Sequence, residues 1–414
     1  MSYVEELGRK AKAAESFIAA ASTMQKNNAL SAISKALIEN AALIISENSK
    51  DLEAAAQNGM SAAMQDRLRL DEKRIAGMAK SVDELVALND PVGEIISGTI
   101  RPNGLQIVKT RVPLGVIGII FESRPNVTVD ASALCLKAGN AVILKGGKEA
   151  VSSNKCLGDI MRKAVETAGL PADIIQVVAD TSRETTAELM RLNSCLDVLI
   201  PRGGAGLIQA VVNQATVPVI ETGTGNCHIF VDASADLEMA VNITDNSKTS
   251  RPSVCNAAES LLVHKDCAEK FLPMIAERFR EHNVKIYGCS RTAAILGSIE
   301  PASENEYGRE FLDYAISVKV VDSIDEAIAH IRRFGTKHSE CIVTKSLDSA
   351  RKFQHEVDAA AVYVNASTRF TDGGEFGLGA EIGISTQKLH ARGPMGLNEL
   401  TTIKYLVNGD GQIR

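Results

Sequence analysis

The sequence predicts an α/β protein built from two doubly wound α/β lobes plus a small β arm. Strand-like and helix-like segments alternate in two successive series, which is the pattern of parallel sheets covered by helices. The segment 221–225, Glu-Thr-Gly-Thr-Gly, separates the two series. At 414 residues the chain also exceeds the usual size of a single hydrophobic core. We therefore expect two lobes that meet in sequence near residue 225.

The N-terminal segment 4–88 has the pattern of a helical layer. Apolar side chains recur there three or four residues apart, and alanine, glutamate and lysine fill most of the remaining positions. The first proline is Pro91. Because amphipathic helices bury one apolar stripe, we expect this layer to cover a sheet that follows it.

A β-hairpin is predicted next. Strand-like runs at 95–100 and 105–110 flank Asn103-Gly104, and Asn-Gly between such runs is a strong hairpin signal. The C-terminal run 401–407 is also strand-like. Unpaired strand edges are seldom left exposed, so we expect these segments to form an arm that another subunit covers. A hairpin folded back on its own domain is the alternative, and the sequence leaves both open.

Two series of short apolar runs supply the core strands. A predicted helix at 127–137, ended by Gly139 and Asn140, connects the first two runs. The first series comprises 115–121, 141–144, 174–178, 196–200 and 217–220. The second series comprises 228–231, 260–263, 318–321, 341–343 and 361–364.

Composition excludes several classes of protein. The net charge is −6 and aromatic residues are 4% of the chain, with no tryptophan, so we expect neither a basic surface nor a stacking platform for nucleic acid. The eight cysteines form no C-x-x-C pair and the histidines no H-E-x-x-H, so no metal site is expected. The longest apolar run, 112–121, is too short for a membrane span, and no signal-peptide pattern opens the chain. We expect a soluble cytoplasmic protein with reduced thiols.

Cys255 differs from the other cysteines in its surroundings. It lies in the polar, basic segment 248–256, between a predicted helix and the strand-like run 260–263. Positive charge on Lys248 and Arg251 would favour the thiolate, which is the nucleophilic form. The alternative is a half-buried structural cysteine, and this local context alone favours the alternative.

The loop after the first core strand, 121–126, ends in Asn126. Ligands of doubly wound sheets collect at the carboxyl ends of strands, and the Asn126 amide could donate to a developing oxyanion there. The alternative is that Asn126 is the N-cap of the helix that begins near residue 127.

Two glycine-rich loops also follow strand-like runs. Lys145, Gly146, Gly147 and Lys148 form the first, and the segment 202–206, which includes Gly203 and Gly204, forms the second. Glycine lets the backbone approach a ligand, and lysine suits phosphate or ribose, so together the loops predict a dinucleotide site. Plain turns are the alternative, because neither loop is a Walker or G-x-G-x-x-G motif.

Four longer passages are more specific than any single loop. They are 121–128 (FESRPNVT), 246–256 (NSKTSRPSVCN), 321–342 and 365–383. In this order they resemble the aldehyde dehydrogenase superfamily and, more closely, its gamma-glutamyl phosphate reductase branch. The resemblance extends over nearly the whole chain, implies an aldehyde-dehydrogenase-like fold, and reverses the preference at Cys255.

The resemblance implies roles for individual residues. Cys255 corresponds to the nucleophile of the superfamily and Asn126 to the amide of its oxyanion hole. Lys145 corresponds to the lysine that contacts the adenosine ribose, and Glu310 to the glutamate that holds the nicotinamide ribose.

The chain also departs from the superfamily pattern. Lys-Gly-Gly-Lys at 145–148 replaces Lys-Pro-Ser-Glu, and Arg-Gly-Gly at 202–204 replaces Gly-Ser-Thr, which makes phosphate contacts by these loops less secure. Glu221 stands where aldehyde oxidisers have a hydrolytic base, and because the implied reaction ends in reduction its role stays open.

The implied reaction is NADPH-dependent reduction of L-glutamyl 5-phosphate to L-glutamate 5-semialdehyde and phosphate, through a cysteine thioester, in proline biosynthesis. Arg124, Arg251 and Arg369 are candidates for the substrate's carboxylate or phosphate, with a structural or solvated arginine as the alternative for each. Two rival functions are an acylating dehydrogenase that uses coenzyme A, and a ligand-binding or scaffold protein without catalysis.

The resemblance divides the chain into functional domains. The dinucleotide-binding domain would comprise 1–93 and 114–225, the catalytic domain 226–400, and the oligomerisation arm 94–113 and 401–414. We expect a homodimer or higher homo-oligomer. The resemblance also implies that a glutamate kinase would supply the acyl phosphate, and channelling between the two enzymes is a further expectation.

Overall fold

A computed structural model describes residues 2–414, which form two compact units. The first unit contains the chain up to Thr222 together with 377–383 and 395–414, and the second contains 223–376 and 384–394. Segments 377–383 and 395–400, expected in the catalytic domain, are therefore part of the first unit.

Five helices form the N-terminal layer of the first unit. Serine or aspartate side chains accept the first-turn N–H groups of four of them, and Ser22 with Gln25 forms a capping box. The fully buried side chains include Ile18, Leu30 and Ile33. The helices are α1 (Tyr3–Ala20), α2 (Thr23–Glu39), α3 (Ala41–Gln57), α4 (Ala62–Leu68) and α5 (Glu72–Ala87).

The predicted hairpin and the C-terminal strand form one antiparallel sheet. Strand β1 (Ile95–Ile100) pairs with β2 (Gln106–Pro113), and β2 pairs on its other side with β16 (Thr401–Asn408). The order β1-β2-β16 places β2 in the centre, so within this chain β1 and β16 each have one open edge.

The first parallel sheet has the order β5-β4-β3-β6. Its core joins Ile120, Ile143 and Leu199 of the strands to Val4 and Ala11 of α1. The elements are β3 (Val116–Phe121), α6 (Asn126–Lys137), β4 (Ala141–Lys145), α7 (Val151–Thr167), β5 (Ile175–Val177), α8 (Arg183–Leu189), β6 (Val198–Arg202) and α9 (Ala205–Gln214).

The predicted strand at 217–220 is wrong. Only one bridge forms, between Val219 and Leu199 of β6. The Pro218 carbonyl accepts the Leu199 N–H, but proline has no N–H to return. The strand therefore stops at one bridge.

The second parallel sheet has the order β10-β9-β11-β8-β7-β12-β13. Strands β9 and β10 were not predicted, because they are short and partly polar. The elements are β7 (Cys227–Val231), α10 (Leu237–Thr249), β8 (Ala258–His264), α11 (Lys265–Glu281), β9 (Lys285–Gly288), α12 (Ser290–Leu296), β10 (Glu300–Pro301), α13 (Glu304–Tyr307), β11 (Ala315–Val321), α14 (Ile324–Phe334), β12 (Ser339–Val343), α15 (Leu347–Glu356) and β13 (Ala361–Val364), followed by the two-stranded pair β14 (Ile384–Ser385) and β15 (Gly393–Pro394).

Within residues 2–414, no single helix is long and apolar enough to cross a bilayer. Helices α2 and α3 reach that length and composition only when taken together, and the chain bends by 69° between them.

Candidate active site

The Cys255 segment connects α10 to β8 and packs closely against the start of β7. The Cys227 thiol donates to the Cys255 carbonyl at 3.2 Å, and burial raises the pKa of Cys227 well above its usual range, so it stays a protonated donor. A Cβ added to Gly225 would lie 1.5 Å from the same carbonyl oxygen. Residue 225 therefore has to be glycine for the nucleophile segment to take this path.

Asn256 fastens the segment on its other side. Its amide Nδ2 donates to the Thr371 carbonyl at 2.9 Å, and its own carbonyl accepts from the Thr368 hydroxyl at 2.7 Å. The short 3-10 turn Thr368–Phe370 thus holds the residue that follows Cys255. Asn256 therefore fixes this segment through its side chain and its backbone carbonyl, and the Cys255 thiol beside it is half-buried.

Two guanidinium groups supply positive charge near Cys255. Burial lowers the pKa of Arg369, and the nearby Arg251 charge lowers it further, while Asp372 and Cys255 act in the opposite direction. Arg369 donates to the Ser250 hydroxyl at 3.3 Å and also to the Asn256 side-chain oxygen. Arg251 and Arg369 therefore bring positive charge to the surroundings of the Cys255 segment.

Lys248, which the sequence predicts as a second source of positive charge beside Cys255, is paired with a carboxylate instead. It lies in the last turn of α10, fully buried, and its ammonium bonds Glu259 at 2.6 Å. A buried pair of opposite charges is nearly neutral to its surroundings, so the expectation that Lys248 stabilises the thiolate is wrong.

Glu310 lies in the same part of the second unit. Its Oε1 accepts the Gly225 N–H at 2.7 Å, and burial raises the pKa of its carboxyl group. The segments of Gly225, Cys255 and Glu310 precede β7, β8 and β11, which are neighbours in the sheet. All three therefore meet at the amino edge of the second sheet.

In the first unit, Asn126 is the first residue of α6. Pro125 precedes it, and the helix has no side-chain cap, so the N-cap interpretation is wrong. The Asn126 amide Nδ2 donates instead to Asp130 Oδ2 at 2.9 Å, one helical turn on. Burial raises the pKa of Asp130 to about 6, opposed by this hydrogen bond and by the charge of Arg202.

The loop before Asn126 is strained and tied down. Ser123 has φ +36°, which non-glycine residues rarely adopt. Its N–H and hydroxyl both donate to Glu149 Oε1, at 2.7 and 2.6 Å. Arg124 follows in this loop and is half-buried. Such strain is typical of ligand-binding loops held by their surroundings.

The two glycine-rich loops lie at the carboxyl ends of β4 and β6. Lys145 is buried, and its ammonium donates to the Gly146 carbonyl at 3.1 Å, with its pKa lowered by burial. A Cβ on Gly146 would lie 2.1 Å from the Asn154 amide, so packing alone requires this glycine. The Gly204 N–H, at the start of α9, donates to the Glu122 carboxylate at 2.9 Å, and a Cβ on Gly203 would lie 2.5 Å from the same carboxylate.

A sequence model of the aldehyde dehydrogenase family matches residues 4–305. The chain belongs to the aldehyde dehydrogenase family. It is 60% identical to a gamma-glutamyl phosphate reductase of Clostridium perfringens over 407 residues, 98% of both chains. A gamma-glutamyl phosphate reductase of Heliobacterium modesticaldum has the same identity and coverage.

Solved structures of the family agree with the fold. The crystal structure of gamma-glutamyl phosphate reductase from Thermotoga maritima is 49% identical, covers 100% of both chains and has a TM-score of 0.97. An acetylating aldehyde dehydrogenase from Geobacillus thermoglucosidasius is 19% identical with a TM-score of 0.72, which concerns the fold alone. The predicted α/β class and the resemblance to this dehydrogenase family are confirmed.

The structure of this family member also adds residues that the sequence did not indicate. In the sequence, Gly225 is only part of the boundary between the two series of strands, and neither Asn256 nor Glu259 stands out. Each is recognised through a contact with a residue distant in sequence, which no local motif encodes. Glu221 is half-buried at the end of the first unit, and its role stays open.

Cys289 is half-buried, and its pKa lies below the ordinary value of a cysteine. Hydrogen bonds from the Thr292 hydroxyl and from backbone N–H groups lower its pKa, although its partial burial acts in the opposite direction. By contrast, burial raises the pKa of Cys341 to about 12. In residues 2–414 no group of three or more His, Cys, Asp or Glu side chains could hold a metal ion.

Proposed function

We propose that this chain reduces L-glutamyl 5-phosphate to L-glutamate 5-semialdehyde and phosphate with NADPH, in proline biosynthesis. The observation that carries the proposal is the setting of Cys255, on a closely packed segment beside Arg251 and Arg369. A relative that is 60% identical over 98% of both chains bears the name of this activity.

Cys255 is the proposed nucleophile. Its thiolate attacks the 5-acyl carbon, a C–S bond forms, and the C–O bond to phosphate breaks with its electron pair leaving on phosphate. The resulting thioester holds the acyl group in place for reduction. After reduction the C–S bond breaks, which returns the thiolate and releases the aldehyde. The proton consumed overall ends on the phosphate.

Asn126 is the proposed oxyanion donor. A side-chain amide has two N–H groups, and Asp130 accepts only one of them. The second can donate to the oxygen of the tetrahedral species. Asp130 orients the amide without consuming its capacity to donate.

NADPH fits the donors present in the first unit. The Lys145 ammonium has N–H groups beyond the one given to Gly146, which suits a ribose. The Gly204 N–H at the start of α9 is a donor of the kind that a dinucleotide phosphate needs, and the Glu122 carboxylate that accepts it in this structure would have to move when phosphate binds. Glu310 would hold the nicotinamide ribose. When bound, the cofactor supplies a hydride to the acyl carbon.

Arginine side chains are proposed to hold the anionic groups of the substrate. Arg251 and Arg369 lie near Cys255, which supports a role for them at the acyl phosphate, and Arg124 lies on the Asn126 loop. Guanidinium groups match both carboxylate and phosphate.

We also propose a homodimer or higher oligomer, with the arm sheet as the contact. Its exposed side chains include Ile95, Ile100, Tyr405 and Val407. An apolar surface beside open strand edges suits a second copy of this chain. The substrate chemistry further suggests a cytoplasmic enzyme, with channelling from a glutamate kinase as an added proposal.

One assay tests the activity. The purified chain is mixed with glutamate 5-semialdehyde, NADP+ and phosphate, and NADPH is followed by absorbance. We expect NADPH formation with phosphate or arsenate and none when coenzyme A replaces them. Formation with coenzyme A alone would identify the acylating rival, and formation with neither would contradict a reductase of this kind.

A further inference from the structure

A fully buried ion pair lies directly behind the Cys255 segment. Lys248 Nζ and Glu259 Oε2 are 2.6 Å apart, and neither side chain is exposed. Lys248 belongs to the last turn of α10, and Glu259 is the second residue of β8, so the pair links the two elements that flank Cys255. Apolar side chains often replace such pairs without loss of stability. Stability alone therefore does not explain a buried ion pair at this position.

The second oxygen of Glu259 reaches a different loop. Its Oε1 accepts the Leu312 N–H at 3.0 Å. Leu312 has φ +56°, a conformation that costs a leucine free energy, and the bond to Glu259 helps to hold it. Leu312 lies two residues after Glu310. Glu259 therefore fixes the backbone on which Glu310 is carried.

The contacts form a closed circuit at the amino edge of the second sheet. Glu310 accepts the Gly225 N–H, and Gly225 lies against the Cys255 carbonyl. From Cys255 the chain runs four residues to Glu259, which returns to the Glu310 loop through Leu312. Each loop is thus located by the other.

We propose that Glu259 is a positioning residue that holds the Glu310 loop in register with the Cys255 segment through its bond to the Leu312 N–H, and that Lys248 neutralises the charge of the buried Glu259 carboxylate. The inference rests on the proposed function, in which Glu310 binds the nicotinamide ribose. Because Asn256 fastens the Cys255 segment independently, loss of Glu259 is expected to release mainly the Glu310 loop.

Two matched double variants test this inference on the full chain. Lys248→Met/Glu259→Gln removes both charges and keeps an acceptor oxygen for the Leu312 N–H. Lys248→Met/Glu259→Leu removes both charges and the acceptor. NADPH affinity is measured by the change in its fluorescence on binding, and the thiol by the rate of iodoacetamide alkylation at Cys255, located by mass spectrometry.

We expect the leucine variant to raise the Kd for NADPH about tenfold or more, in line with loss of a hydrogen bond to a charged group. The glutamine variant should stay within about threefold of the parent, and Cys255 alkylation should change less than about threefold in both. Equal Kd values for the two variants, whether tight or weak, would overturn the proposal.

Two further variants serve as controls. One keeps the test possible if the leucine variant does not fold, and the other measures the general effect of breaking a buried ion pair. Glu259→Asp keeps the charge but shortens the side chain, and it should also weaken NADPH binding. An unchanged Kd for Glu259→Asp would overturn the proposal even if the leucine variant does not fold. Asp90→Asn breaks the buried Lys26–Asp90 pair of the first unit, 2.5 Å apart, and should leave the Kd unchanged. If the parent binds no NADPH, the proposed function fails instead.

Discussion

The two candidate loops lie at opposite edges of their sheets. Asn126 and Lys145 follow strands, at the carboxyl edge of the first sheet, whereas Cys255 and Glu310 precede strands, at the amino edge of the second. At a carboxyl edge the following helix presents its N-terminus, which favours anions. Cys255 instead follows the C-terminus of α10, which disfavours a thiolate. In the second unit, arginine side chains have to supply the positive charge that helix ends supply in the first.

The two loops also differ in how they are held. Backbone contacts fasten Cys255, through Gly225, Cys227 and Asn256. The Asn126 side chain is held by one carboxylate that titrates, Asp130. The nucleophile should therefore depend on packing, and the oxyanion donor on pH.

Replacement of the nucleophile should have the largest effect. Cys255→Ser is expected to lower turnover by about 10³-fold or more, since an alcohol is a far poorer nucleophile at neutral pH. NADPH binding and melting temperature should stay near those of the parent. Cys289→Ser is the matched control, because Cys289 is the other half-buried cysteine, and it should keep activity within about twofold. If Cys289→Ser loses activity while Cys255→Ser keeps it, the nucleophile is Cys289 and the assignment to Cys255 is wrong.

Asn126→Ala should have the next largest effect. Loss of one oxyanion donor lowers kcat by roughly 10²–10³. Steady-state kinetics should show the loss in kcat with little change in KM, because the donor acts in the transition state. An unchanged kcat with lower thermal stability would give Asn126 a purely structural role.

The sequence located the first-unit loop more completely than the second. Asn126 and Lys145 follow apolar strands, and a general rule about carboxyl edges applies to them. No such rule applies to an amino edge, so Cys255 could be selected only through a long passage that resembles a family. Lys248 shows why neighbouring residues alone are not enough for prediction. Its neighbours in sequence are polar, yet its side chain is fully buried and its charge is neutralised by Glu259, eleven positions further on. Likewise, Pro218 ended a strand that apolar pattern alone predicted.

A smaller effect is expected at Asp130. Its pKa of about 6 means that it takes up a proton as the pH falls through 6, and the Asn126 amide then loses its charged acceptor. The kcat of the parent should fall about three- to tenfold below that pH, in line with one hydrogen bond. Asp130→Asn should show the lower kcat at all pH values and lack this limb.

Thermal unfolding is a second test of the raised pKa of Asp130, because that pKa fixes whether stability rises or falls with pH. The folded protein binds the Asp130 proton more tightly than the unfolded chain does, so this group makes stability fall as the pH rises from about 4 to about 6. Asp130→Asn has no group that titrates at this position. Its melting temperature relative to that of the parent should therefore rise as the pH goes from about 4 to about 6. A constant difference would contradict the raised pKa.

The smallest effect on chemistry is expected at the arm. Deletion of 401–414 removes β16, uncovers an edge of β2 and takes away Tyr405 and Val407, which are 59% and 54% exposed in a single chain. None of the proposed catalytic residues lies in the deleted segment. Light scattering at several concentrations should therefore show a smaller assembly, while Cys255 keeps its alkylation rate. A truncated chain that keeps the parent's assembly state would mean that β16 is not part of the contact, and a parent that is monomeric at every concentration would remove the arm proposal altogether.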